Sequence, residues 1–407
     1  MGYNKFMKRK IYLAISAILC CSSLCLASCN KGQTQGSYFL PIASYAEFKS
    51  SNSAMAQGSG YVMGTDAILR IADKDNFATE ARYSAFLNLW EEVKGVLISV
   101  ENSISTTIET SCIYKFNRAE AGATVELDQT AYEILNLAKT VYNQTEGYFN
   151  PAVYQSVRLF GFGSAQVKKP NKLPNEDTVQ AYKTLSDSFA DLTLSQTDGK
   201  YYATKPTTTV KVDGTTHSLK LDLGGIGKGW CADKIDELID QSGFKYGYFN
   251  FGSSTIAVKS HSTSDGNFYT LGVTDPRADD AYAKFKIKDK CLSTSGDYEQ
   301  YYEVDGVRYC HIIDPQTGSP IQTGIASVTV VGGSAAEDDA LTTALSAMGN
   351  QKAVEYINQN LSDRLVIMLV IEDGQGKIIC NRPDDITVVN EAYVLGNTVE
   401  NCKIVLN

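Results

Sequence analysis

The stretch that most constrains this chain is Asp-Leu-Gly-Gly-Ile-Gly-Lys-Gly at residues 222–229, where four glycines and a lysine follow an acidic residue. Alternating, strand-like residues lead up to Asp222, and apolar residues recur at helical spacing after Gly229. This pattern predicts a strand that leads through a glycine turn into a helix. Backbone N–H groups without neighbouring Cβ atoms can approach a ligand closely. A helix N-terminus and the Lys228 ammonium add positive charge, so the turn suits an anion such as a phosphate.

Neither standard nucleotide-binding motif fits this stretch. A P-loop requires Gly-x-x-x-x-Gly-Lys-Ser/Thr, but Asp222 stands at its first glycine and Gly229 at its hydroxyl residue. A dinucleotide fingerprint requires Gly-x-Gly-x-x-Gly, and Trp230 stands at its last glycine. A plain strand-to-helix turn and a phosphate site of another type both remain open at this point.

The N-terminal segment is organised like a secretory signal. Four basic residues between positions 5 and 10 precede a mostly apolar run over 11–19, and Leu-Ala-Ser-Cys closes the segment at Cys29. This ending resembles the bacterial lipobox, which implies cleavage after residue 28 and a lipid on Cys29. An ordinary cleaved signal and an uncleaved anchor are the alternatives.

From these patterns we expect a signal peptide at 1–28 and a tether at 29–58, which is rich in Ser, Gly, Gln and Ala. The expected location is the extracytoplasmic face of the cell membrane, with the protein held there by its lipid. Removal of the signal takes away four basic residues and leaves 33 Lys and Arg against 46 Asp and Glu, a formal net charge of −13. Such an acidic chain argues against a nucleic-acid partner, because phosphate contacts dominate that affinity.

The cysteines and histidines argue against a zinc site. The six cysteines beyond the signal region are scattered without a Cys-x-x-Cys pair, and the chain has only three histidines. No Cys/His cluster has zinc spacing. Any bound metal should therefore be a hard cation with oxygen ligands.

Helices and strands alternate irregularly along the chain. Helical periodicity predicts helices over 79–103, 129–144, 336–348 and 351–360. The polar region 168–220 is expected to form short strands and turns, and short strands are expected to dominate from 245 onward. The absence of strict β-α-β alternation favours an α+β fold, with mixed or antiparallel sheets flanked by helices. The folded domain is expected over 59–350, and 351–407 should add a helix and strands to it.

Two further stretches contain candidate functional groups. His311 precedes a turn with the sequence Asp-Pro-Gln-Thr-Gly, but a histidine in that position is more often a structural hydrogen-bonding group. On a helix, Asp339 and Thr343 would lie one turn apart and offer two oxygen ligands to a hard cation. The alternative for Asp339 is an acidic residue that favours a helix start through the helix dipole.

Taken together, these stretches resemble the ApbE family of FAD:protein FMN transferases. The motifs that carry the likeness occur in the family's order: Met63-Gly64-Thr65, the Ser-x-x-x-x-x-Asn segment at 111–117, Thr-x-Gly-x-Phe-Asn-Pro at 145–151, 222–229, Asp275-Pro276-Arg277, Thr-Ser-Gly-Asp-Tyr at 294–298, His-Ile-Ile-Asp-Pro-x-Thr-Gly-x-Pro at 311–320, and Asp-Ala-Leu-x-Thr-Ala-Leu at 339–345. The likeness covers about residues 58–350.

The resemblance implies a role for each matched position. Asp222 would contact the flavin nucleotide, and Lys228 would lie near its phosphates. Mg²⁺ would be held by the Gly225 carbonyl and by the side chains of Asp339 and Thr343. The FAD pocket would also be lined by Met63, Tyr148, Phe149 and Asn150. His311 would lie near the pyrophosphate or the departing AMP, as an acid/base or positioning group.

The implied reaction is the Mg²⁺-dependent transfer of FMN from FAD to a threonine of an exported electron-transfer protein, with release of AMP. An FAD hydrolase and a non-catalytic flavin-binding lipoprotein are the alternatives. The hydrolase would differ only in that water replaces the threonine hydroxyl. The flavin-binding lipoprotein would have no need of the metal ligands Asp339 and Thr343.

Overall fold

The computed structural model describes residues 36–73, 75–163, 169–260, 268–372 and 374–396 of the chain. The expected signal peptide, the expected lipidation site Cys29 and the expected strand residues after 396 lie outside the described residues. The helices are α1 (Tyr45–Ser50), α2 (Glu80–Ile104), α3 (Cys112–Arg118), α4 (Gln129–Gln144), α5 (Tyr154–Leu159), α6 (Glu176–Asp187), α7 (Gly224–Gln241) and α8 (Ala335–Asn360).

The strands are short. They are β1 (Tyr38–Phe39), β2 (Met55–Val62), β3 (Thr65–Ala72), β4 (Thr124–Leu127), β5 (Thr193–Thr197), β6 (Lys200–Thr204), β7 (Thr209–Val212), β8 (Thr215–Ser218), β9 (Tyr246–Phe251), β10 (Thr255–Val258), β11 (Tyr269–Thr274), β12 (Ala281–Ile287), β13 (Lys290–Gly296), β14 (Tyr301–Val304), β15 (Val307–Cys310), β16 (Ile313–Asp314), β17 (Ser319–Pro320), β18 (Ile325–Val331), β19 (Leu365–Glu372), β20 (Gln375–Cys380), β21 (Ile386–Val388) and β22 (Tyr393–Gly396).

A ten-stranded sheet organises the domain, in the order β1-β2-β3-β9-β10-β13-β18-β19-β20-β22. Neighbouring strands are antiparallel except β20 and β22, which are parallel. Strands after residue 350 thus belong to the same sheet as strands from the N-terminal part. The α+β prediction, with mixed or antiparallel sheets and flanking helices, is confirmed.

Both faces of this sheet are covered. Side chains alternate along a strand, and in β19 Met368 packs into the core under the helices while Ile367 and Leu369 pack into a second core. Helices α2, α7 and α8 cover the first face, and the small sheet β11-β12-β21 covers the second. Because both faces are buried, β18 has no exposed residue and lacks the polar alternation of a half-exposed strand.

The tether expected at 29–58 is wrong for its described part, residues 36–58. Strand β1 pairs with β2, and α1 begins with a capping box formed by Ser44 and Glu47. Phe48 of α1 is buried and stacks on Tyr83 of α2, with 4.8 Å between the ring centroids. A polar composition therefore concealed a few aromatic anchors that hold this segment on the domain.

The helix predictions are largely confirmed. Helices α2 and α4 match the expected 79–103 and 129–144 to within one residue at each end. The two helices expected at 336–348 and 351–360 are the two parts of α8, which meet at Gly349, where the backbone is non-helical (φ 74°, ψ 169°). Among the described residues, no helix has the length and apolar character needed to cross a membrane.

The polar region 168–220 differs from the prediction, because it contains α6 as well as short strands. Only Val179, Leu185 and Ser186 of this twelve-residue helix are buried, which leaves little apolar periodicity to detect. The start of this helix could have been predicted from the sequence, because the Asn175 side chain caps it and Glu176 and Asp177 follow in the first turn.

Candidate active site

The residues singled out from the sequence converge on one cavity of about 440 Å³ at one end of the strands of the main sheet. Those that line it are Met63, Tyr148, Phe149, Asn150, Asp222, Gly225, Lys228, His311, Asp339 and Thr343. They come from five separate stretches of the chain. Only the proposed lipidation site, Cys29, lies outside the described residues.

The predicted strand and glycine turn around 222–229 are wrong. Strand β8 ends at Ser218, and α7 already begins at Gly224. The residues between them belong to no strand and bury Leu219, Leu221 and Leu223, which produced the alternation interpreted as a strand. Leu221 does not pair with a strand, because its backbone N–H and C=O are bonded to the Asn117 side chain at 2.7 and 2.8 Å.

The glycines of α7 allow close helix packing, and none of those at 224–229 has a positive φ. A Cβ atom at Gly229 would lie 2.2 Å from the backbone oxygen of Ala335, the first residue of α8. A Cβ at Gly227 would lie 2.5 Å from Ile104 of α2, and one at Gly225 would lie 3.5 Å from Thr343 Oγ1. The stretch therefore brings the N-terminal turns of α7 and α8 together at the cavity.

Asp233 of α7 fixes the N-terminus of α8. Its Oδ1 accepts from the Ala335 N–H at 2.6 Å, and its Oδ2 accepts from the Ser334 hydroxyl at 2.7 Å and from the Ala336 N–H at 3.0 Å. One carboxylate thus satisfies two of the free N–H groups at the helix start. Sequence reasoning missed this residue, because nothing in its local pattern shows that it reaches another helix.

Asp222 is fixed at the wall of the cavity. Its N–H donates to the Pro151 carbonyl, and its Oδ1 accepts from the Gly224 N–H, both at 2.8 Å. Burial raises the pKa of Asp222, although the Gly224 hydrogen bond and Lys228 oppose the shift. Asp222 is half-buried at the wall of the cavity.

Replacement of Asn117 by leucine should loosen this wall. The change leaves the N–H and C=O of Leu221 without partners in a buried position, and each unpaired group costs about 1–3 kcal/mol. We expect a fall of about 3 kcal/mol in the free energy of unfolding and weaker FAD binding, measured by urea denaturation and by titration with FAD. Asn136→Ala, at an exposed position of α4, is the matched control and should change neither. Equal behaviour of the two variants would contradict this role for Asn117.

The most buried carboxylate of the cavity is Asp339, which is 3 % exposed. Its Oδ2 accepts from the Gly229 N–H at 3.2 Å and lies 3.8 Å from Lys228 Nζ, which also donates to the Gly224 carbonyl at 3.2 Å. Burial raises the pKa of Asp339, and Lys228 opposes the shift. A further cation would stabilise this carboxylate, because one lysine at the long end of ion-pair distance neutralises it weakly.

The oxygen atoms around Asp339 fit a hard cation. Thr343 lies one helical turn later, and its hydroxyl makes only a long 3.5 Å contact with the Asp339 carbonyl. The Gly225 backbone lies beside this hydroxyl. No group of three His, Cys, Asp or Glu side chains suited to a metal occurs among the described residues. A metal here would therefore depend on hydroxyl and backbone oxygens as well as on one carboxylate.

His311 is held in the cavity in its neutral form. Burial, together with the nearby Lys228 ammonium, lowers the pKa of His311 to about 4. The backbone N–H of His311 donates to the Gln300 carbonyl at 3.0 Å. Within the described part of the chain its Nδ1 is buried without a hydrogen-bond partner. At neutral pH the ring can therefore bond to a ligand or accept a proton, but it carries no imidazolium proton to give.

Asn150 lines the cavity but has a structural task. Its Oδ1 accepts from the Ala152 N–H at 2.9 Å, and its Nδ2 donates to the Ser186 carbonyl at 3.1 Å.

Tyr148 presents its ring beside Lys352, whose Nζ lies 4.6 Å from the ring centroid. Met63 has a φ of 51° and Gly64 a φ of 81°, so these two residues form the tight turn between β2 and β3.

The cavity contains further polar residues that the sequence analysis did not assign to a site. These are Thr65, Ser254, Thr294, Ser295, Glu299 and Gln300. Thr294 and Ser295 were within a recognised motif and were readable in principle. Ser254 follows the Gly252 turn between β9 and β10, and its position is set by the sheet alone.

The fold is shared with solved flavin transferases, and the chain is an enzyme of the transferase class. The flavin transferase ApbE from Vibrio cholerae superposes with a TM-score of 0.65 at 25% identity, over 80% of this chain and 96% of that one. The ApbE protein from Thermotoga maritima supports the fold, with a TM-score of 0.63 at 24% identity over 78% of this chain and 94% of its own.

Sequence comparison gives the family. The ApbE family pattern matches residues 63–368, and the chain belongs to the ApbE family. The FAD:protein FMN transferase of Escherichia coli K12 is 28% identical over 72% of this chain and 79% of its own length. The FAD:protein FMN transferase of Treponema pallidum is 28% identical over 75% of this chain and 83% of its own.

Proposed function

We propose that this protein transfers FMN from FAD to a threonine hydroxyl of an exported electron-transfer protein, with Mg²⁺ as the required metal. The threonine oxygen bonds to the FMN phosphorus, the pyrophosphate bond breaks, AMP leaves and the hydroxyl proton passes to solvent. The observation that carries the proposal is the convergence of Asp222, Lys228, His311, Asp339 and Thr343 on one cavity. Relatives named for this activity support it.

The residues of the cavity have different roles in the proposed reaction. Transfer of a phosphoryl-type group depends mainly on positioning and on neutralisation of charge. Lys228 and the N-terminus of α7 face the pyrophosphate, and the Asp222 carboxylate orients the nucleotide. Asp339, Thr343 and Gly225 would hold Mg²⁺, which supplies charge neutralisation at the phosphate oxygens. The neutral His311 offers a hydrogen bond to the phosphate or to the departing AMP.

The location is part of the proposal. We propose that the chain is exported and anchored by a lipid on Cys29, as the lipobox-like ending at 26–29 indicates. The acceptor would then be a protein on the same side of the membrane.

One assay separates transfer from its alternatives. The mature protein is incubated with FAD, Mg²⁺ and an acceptor domain that contains the target threonine, and AMP and covalently bound flavin are measured. We expect AMP together with flavin on the acceptor. A Thr→Val change in the acceptor should abolish the label. AMP without labelled acceptor would show hydrolysis, and the absence of both products would show simple binding; either result overturns the proposal.

A further inference from the structure

The first residues that the structure describes, from residue 36 onward, lie next to the wall of the cavity. In the antiparallel pairing of β1 with β2, Tyr38 lies opposite Tyr61 and Phe39 opposite Gly60. Strand β2 then ends at Val62, and the turn Met63-Gly64 follows directly. The chain therefore enters the main sheet at the end of the strands where the cavity lies.

One carboxylate joins this entry point to the cavity wall. Glu101 of α2 accepts the Ser37 hydroxyl on its Oε2 and the Met63 N–H on its Oε1, the latter at 2.9 Å. Met63 lines the cavity. The first described residues are thus linked to the cavity wall by two hydrogen bonds to the Glu101 side chain.

The entry point is also apolar and exposed. Tyr38 and Leu40, two residues apart, are 41% and 54% exposed, so two large apolar side chains are accessible close together at this point. Tyr38 stacks on Tyr61 with 5.8 Å between the ring centroids. Tyrosine and leucine side chains presented together suit the interface between lipid headgroups and acyl chains.

The number of residues before this entry point limits the distance between the entry point and a lipid anchor. If Cys29 carries the lipid, residues 30–35 alone separate it from residue 36. Whatever their conformation, seven residue steps span at most about 25 Å. The structure thereby replaces the expected tether of 29–58 with a much shorter one.

We propose that the β1 end of the main sheet rests on the bilayer, with Tyr38 and Leu40 at the headgroup level and the Met63–Thr65 wall of the cavity toward the membrane. The acceptor threonine would then belong to a protein held in the same membrane, with the target close to the headgroups. This inference rests on the lipid anchor of the proposed function. It adds an orientation and a position for the acceptor.

Fluorescence quenching tests the orientation. The full lipidated chain is prepared as Leu40→Cys and, separately, as Val394→Cys, each labelled with a thiol-reactive dye. Val394 is the matched control, because it is 69% exposed on β22, at the opposite edge of the sheet. The five cysteines of the described part are buried, and the unmodified chain gives the labelling background. Each protein is bound to phosphatidylethanolamine–phosphatidylglycerol vesicles with or without a headgroup nitroxide lipid.

We expect severalfold quenching of the dye at position 40 and little change at 394. Equal quenching, stronger quenching at 394, or failure of the full chain to bind vesicles would overturn the orientation. FMN transfer to a soluble acceptor in detergent is measured on the same samples. Loss of transfer there would contradict the proposed function itself, whereas normal transfer with the wrong quenching pattern would contradict only the orientation.

Discussion

Replacement of Asp339 by alanine should reduce FMN transfer about a thousandfold, which corresponds to about 4 kcal/mol of transition-state stabilisation. Asp339 is the buried carboxylate of the cavity, and its neighbours supply one long contact to Lys228 and one N–H. Without it, the proposed cation site would retain the Thr343 hydroxyl and backbone oxygen. The measurement is the initial rate of acceptor labelling over a range of Mg²⁺ concentrations.

Two further variants separate the loss of charge from a loss of structure. Asp339→Asn keeps the shape of the side chain and should lose nearly as much activity, with a melting temperature close to that of the unmodified protein. Thr343→Val removes one oxygen and should give a smaller loss that excess Mg²⁺ partly restores. Near-normal labelling by Asp339→Ala at limiting Mg²⁺ would refute the metal site.

Replacement of Gly229 by alanine should lower the free energy of unfolding by about 3 kcal/mol, at the upper end of the cost of overpacking. The new Cβ would lie 2.2 Å from the Ala335 oxygen and 2.5 Å from the Ala336 Cα. Both are backbone atoms, so α7 and α8 must move apart. The measurement is urea denaturation followed by far-ultraviolet circular dichroism. Because the same contact brings Gly225 near Thr343, the variant should also bind Mg²⁺ more weakly.

Gly95→Ala provides the control for helix propensity. Gly95 lies on the exposed side of α2, and a Cβ there meets nothing within 4 Å. Alanine is favoured over glycine in a helix by about 0.5–1 kcal/mol, so this variant should be slightly more stable. If Gly229→Ala were stabilised to the same degree, the close packing of α7 on α8 would be wrong.

Sequence predicted best the elements that have one clear apolar face. Helix α2 buries Phe86, Trp90, Val93 and Leu97 at helical spacing, and its bounds were predicted almost to the residue. The two helical parts of α8 were also predicted, because Gly349 interrupts the pattern between them. Periodicity reports burial on one side, as in α2, whereas nearly every residue in the first part of α8 is buried.

The segment 219–223, which belongs to no strand, shows where the same reasoning fails. Its three buried leucines alternate as in a strand, yet its backbone partner is the Asn117 side chain, which comes from a distant part of the chain. Alternation reports burial but does not identify the hydrogen-bond partner. The glycines of α7 were assigned to a loop for a similar reason: their role depends on the approach of α8, which local sequence does not contain.

The candidate site was predicted mainly through the resemblance to a family. Local chemistry alone left Asp339 as a helix-start residue and His311 as a structural group. Their joint position in one cavity is a property of the fold. Residues such as Asp233 and Glu101, which hold the site together through contacts with distant elements, had no sequence signal.

The order of strands in the main sheet bears on how the protein is made. From one edge to the other, the strand numbers rise without a single reversal, from β1 to β22. A chain that emerges N-terminus first from the ribosome can therefore add each new strand to an edge that already exists. No later strand has to insert between two strands of this sheet that are already paired. Exposed strand edges invite aggregation during synthesis, and this sheet grows at a single edge while the chain is made.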